Sequence, residues 1–541
     1  MPILTIKFSD KYRHIAFMAG RSVRDILDET DIRVRAGCNG EGACGLCRIR
    51  IVGGNGGEPS QNEELSLDAG MLSQGVRLAC QVQAEHDLQI EIISLAPRSP
   101  WRRLEEGWAE DFSKSKVQLV AQDSVHPLGV AIDLGTTHIS ITMLDLVTGY
   151  RLAGRSGLNP QSCEGTDVMT RVMSAETRGQ AAKLGSHAVN AIGDGLYDIG
   201  SREGIDLKRV SCVVIVGNTA MLALLSGRNY HLLLQPRYWD QAIECCPIET
   251  TSWASAWGIN PKAAVEVIPP VAGFIGSDLL AGIMATRLTE CGPGALLIDF
   301  GTNSEVALWD GNTIWVTSAA GGPAFEGCGM SFGMPADPGA IFRIHELNGQ
   351  CGISFEVVGG AEPRGLCGTG MVDLLACLIR DGTLNDKGQF AQKVSASGFP
   401  LHFEGCTMFL TKKDVDTFQR AKAAIGVAVN VLLKKAGISY NELKRIFIGG
   451  VFGQYLNVHN AMEIGLLPSV LSRIIETSGN TALAGCEAAL LSSERKDHLQ
   501  AVLKKAVIIN LSAFADFESF FLEHLYLMPI DGNRGHDGTV F

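Results

Sequence analysis

The chain has 541 residues, 46% of them hydrophobic and 19% charged, and a formal net charge of −12. This length indicates roughly three to four compact units, and the acidic balance argues against a nucleic-acid partner, which would need a basic face. No signal peptide opens the sequence, and no apolar stretch reaches the roughly 18 residues of a membrane helix. We therefore expect a cytoplasmic location without membrane contact.

Residues 1–96 are predicted to form a small β-grasp domain, a sheet wrapped around a single helix. Its length leaves room for short elements only, and Ser22 is a suitable N-cap for the helix. The predicted elements are a hairpin over Ile3–Phe8 and His14–Met18, a helix over Ser22–Glu29, and strands over Arg48–Val52 and Leu88–Ile93.

Four cysteines of this domain have the spacing of an iron–sulfur ligand set. Cys38, Cys44 and Cys47 follow the pattern C-x5-C-x2-C in a glycine-rich segment, and Cys80 comes later in Arg-Leu-Ala-Cys. A [2Fe–2S] cluster requires four such thiolates, and glycines allow the loop to bring three of them together. A zinc site is the alternative, while disulfides are disfavoured in the cytoplasm. The first gap resembles that of the adrenodoxin-like ferredoxins, one residue longer than in plant-type ferredoxins.

Residues 97–127 are rich in charge and poor in apolar periodicity, which indicates a linker with some helical content. Its Trp101 and Trp108 are candidates for docking on a neighbouring domain.

From residue 128 onward, apolar strands alternate with helices such as Val415–Ala436, a pattern typical of α/β folds. Two segments repeat each other about 165 residues apart, Gly129–Asp145 and Ala295–Asp310, and such a repeat predicts two related lobes, 128–292 and 293–541. In Lys422–Lys435 we expect core packing on one face and solvated lysines on the other.

Each repeated segment is an apolar strand that runs into an Asp-x-Gly-Thr turn. Such a turn points N–H and hydroxyl groups at phosphate oxygens, while the Asp at the strand end holds Mg²⁺ or its water. An apolar strand also enters a Gly-Gly turn in Ile446–Gly453, which suits close packing against an adenosine. These residues are Asp133, Gly135, Thr136 and Thr137 in the first turn, Asp299, Gly301, Thr302 and Asn303 in the second, and Gly449 and Gly450.

This ordered set resembles the acetate-kinase, sugar-kinase, Hsp70 and actin superfamily of ATPases. The resemblance implies that the first and second turns bind the phosphates of ATP from opposite sides of a cleft. It assigns Asp133 and Asp299 to Mg²⁺ and the attacking water, and Gly449 and Gly450 to the adenosine.

A [2Fe–2S] β-grasp domain joined to such an ATPase resembles the reductive activators of corrinoid-dependent methyltransferases. Further segments of the chain fit that family, among them 159–161, 216–219, 318–327, 365–370 and 465–468. The resemblance implies ATP-dependent transfer of one electron to an inactive Co(II) corrinoid protein, which returns to Co(I). It also implies a low-potential electron donor, and a homodimer is common in such folds.

Two weaker assignments and two alternatives remain open. Ser318 is a candidate contact on the cobalt side, for which a plain turn serine is the alternative, and Glu326 is a catalytic candidate for which a salt bridge is the alternative. The alternatives are a small-molecule kinase fused to a ferredoxin and a non-catalytic redox sensor gated by ATP. Phosphorylation of a sugar or acid would favour the kinase, and absence of both activities would favour the sensor.

Overall fold

The structure is a computed structural model that describes residues 1–8, 11–28, 30, 32, 34, 42, 45, 47–94, 101–104, 126–165, 167–319, 321, 324–325, 330–347, 353–360, 362–392, 394, 398–403 and 406–530. Within these ranges no helix is long and apolar enough to cross a membrane. Cys38, Cys44, Trp108 and Glu326 lie outside the described residues.

The N-terminal domain is a five-stranded sheet in the order β2-β1-β7-β4-β5, with a short pair β3-β6 beside it. Alternate residues of the central strands, such as Leu4, Ile6, Leu88 and Ile90, are fully buried and form its core. Its elements are β1 (Ile3–Phe8), β2 (Lys11–Ala16), β3 (Arg21–Ser22), α1 (Val23–Asp28), β4 (Arg48–Gly53), α2 (Gln61–Ser66), α3 (Ala69–Ser73), β5 (Val76–Leu78), β6 (Gln83–Ala84) and β7 (Leu88–Ile92). The second hairpin strand begins earlier than predicted, because Lys11–Ala16 is the segment that pairs with β1.

The middle lobe contains a six-stranded sheet in the order β13-β12-β9-β10-β11-β8. Strands β9, β10 and β11 are antiparallel neighbours, and β12 runs parallel to β9. The elements are β8 (Arg102–Arg103), β9 (Leu128–Leu134), β10 (His138–Asp145), β11 (Arg151–Leu158), α4 (Val168–Met173), α5 (Arg178–Glu203), β12 (Val210–Gly217), α6 (Thr219–Ser226), α7 (Thr251–Ala256), β13 (Ala264–Val267) and α8 (Ser277–Ala285).

The C-terminal lobe repeats this arrangement in the sheet β23-β22-β14-β15-β16-β24, again with three antiparallel strands and a parallel neighbour. The predicted internal repeat is therefore present in three dimensions. The elements are β14 (Ala295–Phe300), β15 (Ser304–Trp309), β16 (Ile314–Ala319), β17 (Ala340–Leu347), β18 (Ile353–Val357), β19 (Gly365–Leu366), α9 (Gly368–Arg380), β20 (Phe399–Phe403), β21 (Cys406–Leu410), α10 (Lys412–Ala436), β22 (Arg445–Gly449), α11 (Val451–Tyr455), α12 (Val458–Glu463), β23 (Ile475–Gly479), α13 (Thr481–Leu491), α14 (Arg495–Lys505), β24 (Ala506–Ile508) and α15 (Phe517–His524).

One apolar cluster belongs to both lobes and holds them face to face. It includes Val214 and Leu279 of the middle lobe together with Leu297, Leu483 and Cys486 of the C-terminal lobe. Burial of apolar side chains from both sheets keeps the ends of β9 and β14 close to each other.

Two expectations about single side chains need comment. The prediction that Trp101 docks on a neighbouring domain is confirmed, since it is 4% exposed and packs on Gly157 and Gly195. Residues Arg102–Arg103 beside it form an edge strand of the middle-lobe sheet rather than a helix. The expectation of solvated lysines on α10 is wrong for Lys422, which is 1% exposed.

Candidate functional site

The two Asp-x-Gly-Thr turns face each other across a cavity of about 1160 Å³ between the lobes. Thr137 and Thr302 are in direct contact there, with 2.9 Å between their hydroxyl oxygens. The lining residues include Asp133, Gly135, Thr136, Thr137, Asp299, Gly301, Thr302, Asn303 and Gly450. The structure therefore brings together both predicted turns and one residue of the Gly-Gly pair.

The first turn is held in place by two side chains that the sequence did not assign to it. Asn159 donates its side-chain amide to the Gly135 carbonyl over 2.9 Å and its backbone N–H to the Thr137 carbonyl over 2.8 Å. Arg171, which is fully buried, donates to the Thr136 carbonyl over 2.7 Å. These bonds occupy the carbonyl groups of the turn, while the Thr137 hydroxyl contacts Thr302 in the cavity.

The Gly-Gly turn after β22 packs against the second Asp-x-Gly-Thr turn. A Cβ atom on Gly449 would lie 2.7 Å from the Thr481 hydroxyl, and one on Gly450, at φ +84°, would lie 2.1 Å from the Phe300 carbonyl oxygen. Both positions thus require glycine for close packing. Gly450 lines the cavity and Gly449 lies behind it, so the adenosine contact expected of this pair stays a prediction.

Six carboxyl groups line the same cavity, and four of them interact with one another electrostatically. Two of the four are the predicted Asp133 and Asp299, and the others, Asp278 at the start of α8 and Glu305 on β15, were not predicted. The remaining two are Asp194 and Asp337. Asp299 and Glu305 are cross-strand neighbours in the β14–β15 pair. Asn480 donates to Asp133 over 2.9 Å, and Thr481 donates to Asp299 over 3.0 Å.

The four interacting carboxyl groups are enclosed by protein and repel each other. Burial raises the pKa of Asp133 to about 7, with a further contribution from the charge of Asp299. Burial alone raises the pKa of Asp299 to about 6 despite the Thr481 hydrogen bond. Burial, followed by the charges of Asp278 and Asp299, holds the pKa of Glu305 well above its usual range. The mutual repulsion of these carboxylates would therefore favour binding of a cation in the cavity.

Three buried polar atoms beside the second turn lack a partner among the described residues: Asn303 Nδ2, Ser304 Oγ and Glu305 Oε1. Unpaired buried groups are costly, and two of these atoms are able to donate to an anionic ligand. No three His, Cys, Asp or Glu side chains of the described chain converge as a ready-made metal site. The cavity is thus suited to a ligand that brings both an anion and a cation.

Ser318 and the cysteines complete the predicted positions. Ser318 is half-buried on β16, and its hydroxyl is hydrogen-bonded to Glu305, its cross-strand neighbour.

In the N-terminal domain the sulfur atoms of Cys47 and Cys80 lie 3.4 Å apart, and both residues are buried. The hydrogen bond from Cys47 is the main cause that lowers the pKa of Cys80 to about 6. Two free thiols this close are able to bind the same metal atom.

The residues missed by sequence reasoning come from separate segments of the chain. Asn159 and the cavity-lining Asn218 lie in segments singled out beforehand, 159–161 and 216–219. Glu305 lies within the second repeated segment and faces Asp299 in the same hairpin, so its position was also accessible from the sequence. Asp278 and Asn480 lie outside the predicted motifs and reach the cavity through tertiary packing.

Comparison with known proteins matches most of the chain in three consecutive parts. Residues 6–85 match the 2Fe-2S iron-sulfur cluster binding domain, residues 128–291 match the RACo middle region, and residues 294–534 match the C-terminal domain of RACo, the ASKHA domain. All four cysteines fall within the first region.

Individual relatives match the chain over most of its length. The corrinoid activation enzyme RamQ of Eubacterium limosum is 31% identical over 424 residues, 74% of this chain and 70% of the relative. The [Co(II) methylated amine-specific corrinoid protein] reductase of Methanosarcina barkeri is 28% identical over 428 residues, 73% and 76% of the two chains. The solved structure of a reductive activator for corrinoid,iron-sulfur protein superposes with a TM-score of 0.66 at 25% identity, covering 97% of this chain and 98% of that one.

Proposed function

Because the chain belongs to the family of reductive activators of corrinoid proteins, we propose that it returns a corrinoid protein from inactive Co(II) to Co(I) in a reaction driven by ATP. One electron reaches the cobalt for each corrinoid restored, and ATP is hydrolysed to ADP and phosphate. The observation that carries this proposal is the pairing, in one chain, of a nucleotide-type cleft with a buried pair of cysteine thiols.

Cys38, Cys44, Cys47 and Cys80 are proposed to hold a [2Fe–2S] cluster, which supplies one-electron chemistry when bound. The match of residues 6–85 and the 3.4 Å separation of the Cys47 and Cys80 sulfurs support this set. Gly42, at φ +81°, donates its backbone N–H to the Cys80 sulfur. Such amide donors stabilise thiolate ligands.

The cleft is proposed to bind ATP with its phosphates between the two turns. Thr136 and Thr137 contact them from the middle lobe, and Thr302 and Asn303 contact them from the C-terminal lobe. The unpartnered Asn303 amide supports this assignment, because a phosphate oxygen would accept its hydrogen bond. The cavity of about 1160 Å³ has room for a nucleotide.

Asp133 and Asp299 are proposed to hold Mg²⁺ together with the phosphates. Mg²⁺ keeps several waters and takes one or two carboxylates plus substrate phosphates, so it needs no ready-made protein cage. The raised pKa values of both groups fit this role, since an enclosed cation would favour their charged forms. Bound Mg²⁺ supplies charge stabilisation to the phosphates, and Asp133 and Asp299 orient its water.

The electron donor and the state of assembly belong to the same proposal. Plant-type [2Fe–2S] centres lie near about −400 mV, and reduction of a corrinoid to Co(I) is uphill from there. We propose a low-potential donor, and docking of the corrinoid protein in a conformation favoured by ATP. A homodimer stays a prediction.

The test uses the full-length protein with its iron restored, reduced, and mixed with a corrinoid protein held at Co(II). The Co(II) absorption band should disappear when MgATP is added and persist without it. Asp299→Asn and Cys47→Ser should both abolish the change, while Asp497→Asn, at an exposed residue of α14, should behave as the unaltered protein.

Three outcomes would contradict the proposal. One is loss of the Co(II) band at the same rate without ATP, and a second is equal affinity for the corrinoid protein with and without ATP. The third is phosphorylation of a sugar or small acid in place of corrinoid reduction, which would assign the chain to the kinase class.

A further inference from the structure

A buried ion pair joins the N-terminal domain to the middle lobe. Arg24 of α1 donates through Nη2 to Glu203 Oε2 over 3.1 Å, and the two side chains are 2% and 7% exposed. The partners are 179 residues apart in sequence. When one partner of such a buried ion pair is removed, the other charge stays unpaired in the interior, and the protein is strongly destabilised.

On the middle-lobe side, Glu203 belongs to a group of neighbouring charges. Arg155 donates to Glu203 over 2.8 Å and to Asp198 over 2.5 Å, and Arg202 donates to Asp198 over 2.5 Å. The charge of Arg103 on β8 also contributes to lowering the pKa of Glu203. The middle lobe thus supplies cations of its own to these carboxylates, and Arg24 brings an additional positive charge from the other domain.

On the N-terminal side, Arg24 is tied to the segment that carries a proposed cluster ligand. Its backbone N–H donates to the carbonyl of Ala79 over 2.9 Å, and Ala79 directly precedes Cys80. Arg24 is thus anchored directly beside a proposed cluster ligand.

On the cleft side, strand β11 connects the same charges to the first Asp-x-Gly-Thr turn. Arg155 lies on β11, and Asn159 follows the end of that strand. Asn159 makes the two hydrogen bonds that hold the turn at Gly135 and Thr137. One strand therefore connects the turn directly to Arg155, which is paired with Glu203.

We propose that Glu203 is a positioning residue for electron transfer, which holds the cysteine-bearing domain on the middle lobe through Arg24 more firmly when nucleotide occupies the cleft. This inference rests on the proposed function in one respect, because it takes the first turn to be a phosphate site. It adds a route by which the nucleotide acts on the N-terminal domain before any corrinoid protein is present.

The test needs the full-length protein with its cluster, and it needs no corrinoid protein. Hydrogen exchange is measured for a peptide covering α1 with and without a non-hydrolysable MgATP analogue, whose binding is checked by calorimetry. In the unaltered protein the analogue should slow exchange of this peptide about fivefold or more, as for a typical coupling between sites.

Two variants separate positioning from charge. Arg24→Gln and Glu203→Gln should both remove the nucleotide-dependent slowing, and Arg24→Lys should restore part of it. The midpoint potential of the cluster, read by electron paramagnetic resonance, should become more negative in Arg24→Gln and more positive in Glu203→Gln. The two potentials should shift in opposite directions, because Arg24→Gln removes a positive charge near the cluster, whereas Glu203→Gln removes the negative charge that compensates Arg24.

The matched control is Arg50→Gln, which breaks an exposed ion pair with Glu91 inside the N-terminal domain and should leave both readings unchanged. Arg24→Gln leaves the ion pairs within the middle lobe in place, so it keeps the test valid if Glu203→Gln fails to fold. The inference is overturned if the analogue binds without slowing exchange in the unaltered protein. Equal slowing and equal potentials in Arg24→Gln and the unaltered protein would overturn it as well.

Failure of the proposed function has a different signature. If the analogue slows exchange in α1 and Arg24→Gln removes that effect, the inference holds even when no corrinoid protein is reduced. If corrinoid reduction depends on ATP but Arg24→Gln responds to the analogue as the unaltered protein does, the inference fails alone.

Discussion

Lys422 lies in the middle of α10 as a cation buried in the core of the C-terminal lobe. Its Nζ donates to the carbonyl oxygens of Gly465 and Tyr526 over 3.2 and 2.8 Å, and no carboxylate of the described chain forms an ion pair with it. Burial lowers its pKa from 10.5 to about 7. Replacement of Lys422 by methionine tests what this burial costs.

The sign of the pH dependence follows from proton counting. Between pH 7 and 10.5 the unfolded chain holds a proton on Lys422 that the folded chain has released, so stability rises with pH in this window. Shifts of this size predict that the lysine destabilises the fold by about 5 kcal/mol at pH 6 and by about 2 kcal/mol at pH 9. Burial, followed by the charge of Lys422, lowers the pKa of the neighbouring His524 to about 3. Folded His524 is therefore neutral from pH 6 to 9, and its contribution to the pH dependence, from protonation of the unfolded chain near its ordinary pKa of 6.5, is confined to the acid end of that range.

Lys422→Met removes this penalty and leaves two carbonyl groups without a donor, at a cost of about 2–3 kcal/mol. The variant should therefore be about 2 kcal/mol more stable than the unaltered protein at pH 6, and close to it at pH 9. For a lobe of this size that difference at pH 6 raises the melting temperature by about 4–8 °C. Thermal unfolding of the full-length protein, followed by circular dichroism from pH 6 to 9, measures both values.

The control is Lys434→Met on the same helix, whose ammonium is 55% exposed and paired with Asp516. It should leave the slope of stability against pH unchanged. The reasoning is refuted if Lys422→Met keeps the slope of the unaltered protein between pH 7 and 9, because burial would then not perturb this lysine.

Three further predictions concern the site. Gly450→Ala should weaken binding of an ATP analogue at least tenfold in calorimetry, because the new Cβ atom would lie 2.1 Å from a backbone oxygen. The control is Gly437→Ala, at a glycine that also has a positive φ but has open space around it. This variant should lose only about 1–2 kcal/mol of stability and should bind the analogue as the unaltered protein does. Arg171→Met should free the first turn and raise the Kd of the analogue about tenfold or more, and an unchanged Kd would show that the turn is held without it. Cys47→Ser should remove the visible absorption and the iron of the cluster, whereas Cys245→Ser, at a buried thiol of the middle lobe, should retain both.

The fold class and the family were predictable from the sequence because their signals are local. The cysteine spacing is contained in a short loop plus one later ligand, and each Asp-x-Gly-Thr turn is read within a single hairpin. Both predictions of fold and family are confirmed by the matched regions and by the solved relative. The assignment of individual ligands to iron, phosphate and Mg²⁺ stays a prediction.

The rest of the cavity depends on contacts that no local pattern contains. Asn480 reaches Asp133 across 347 residues, and Thr481 reaches Asp299 across 182. Lys422 is a different case, because Phe418 and Ile425 are buried on the same face of α10. Helical spacing therefore indicated a buried position, and the charge of the side chain was the reason for expecting solvent there.

The charges of the cavity also explain why its ligand should be tightly coupled to the structure around it. The carboxyl groups of Asp133 and Asp299 have raised pKa values, so at neutral pH the empty cleft holds protons that an enclosed cation would displace. Both aspartates are bonded to the start of α13, Asp133 through Asn480 and Asp299 through Thr481, and the first turn is also bonded to the end of β11 through Asn159. A ligand that brings phosphate and cation together therefore relieves repulsion between the lobes and acts at the same time on the strand that leads to the N-terminal domain.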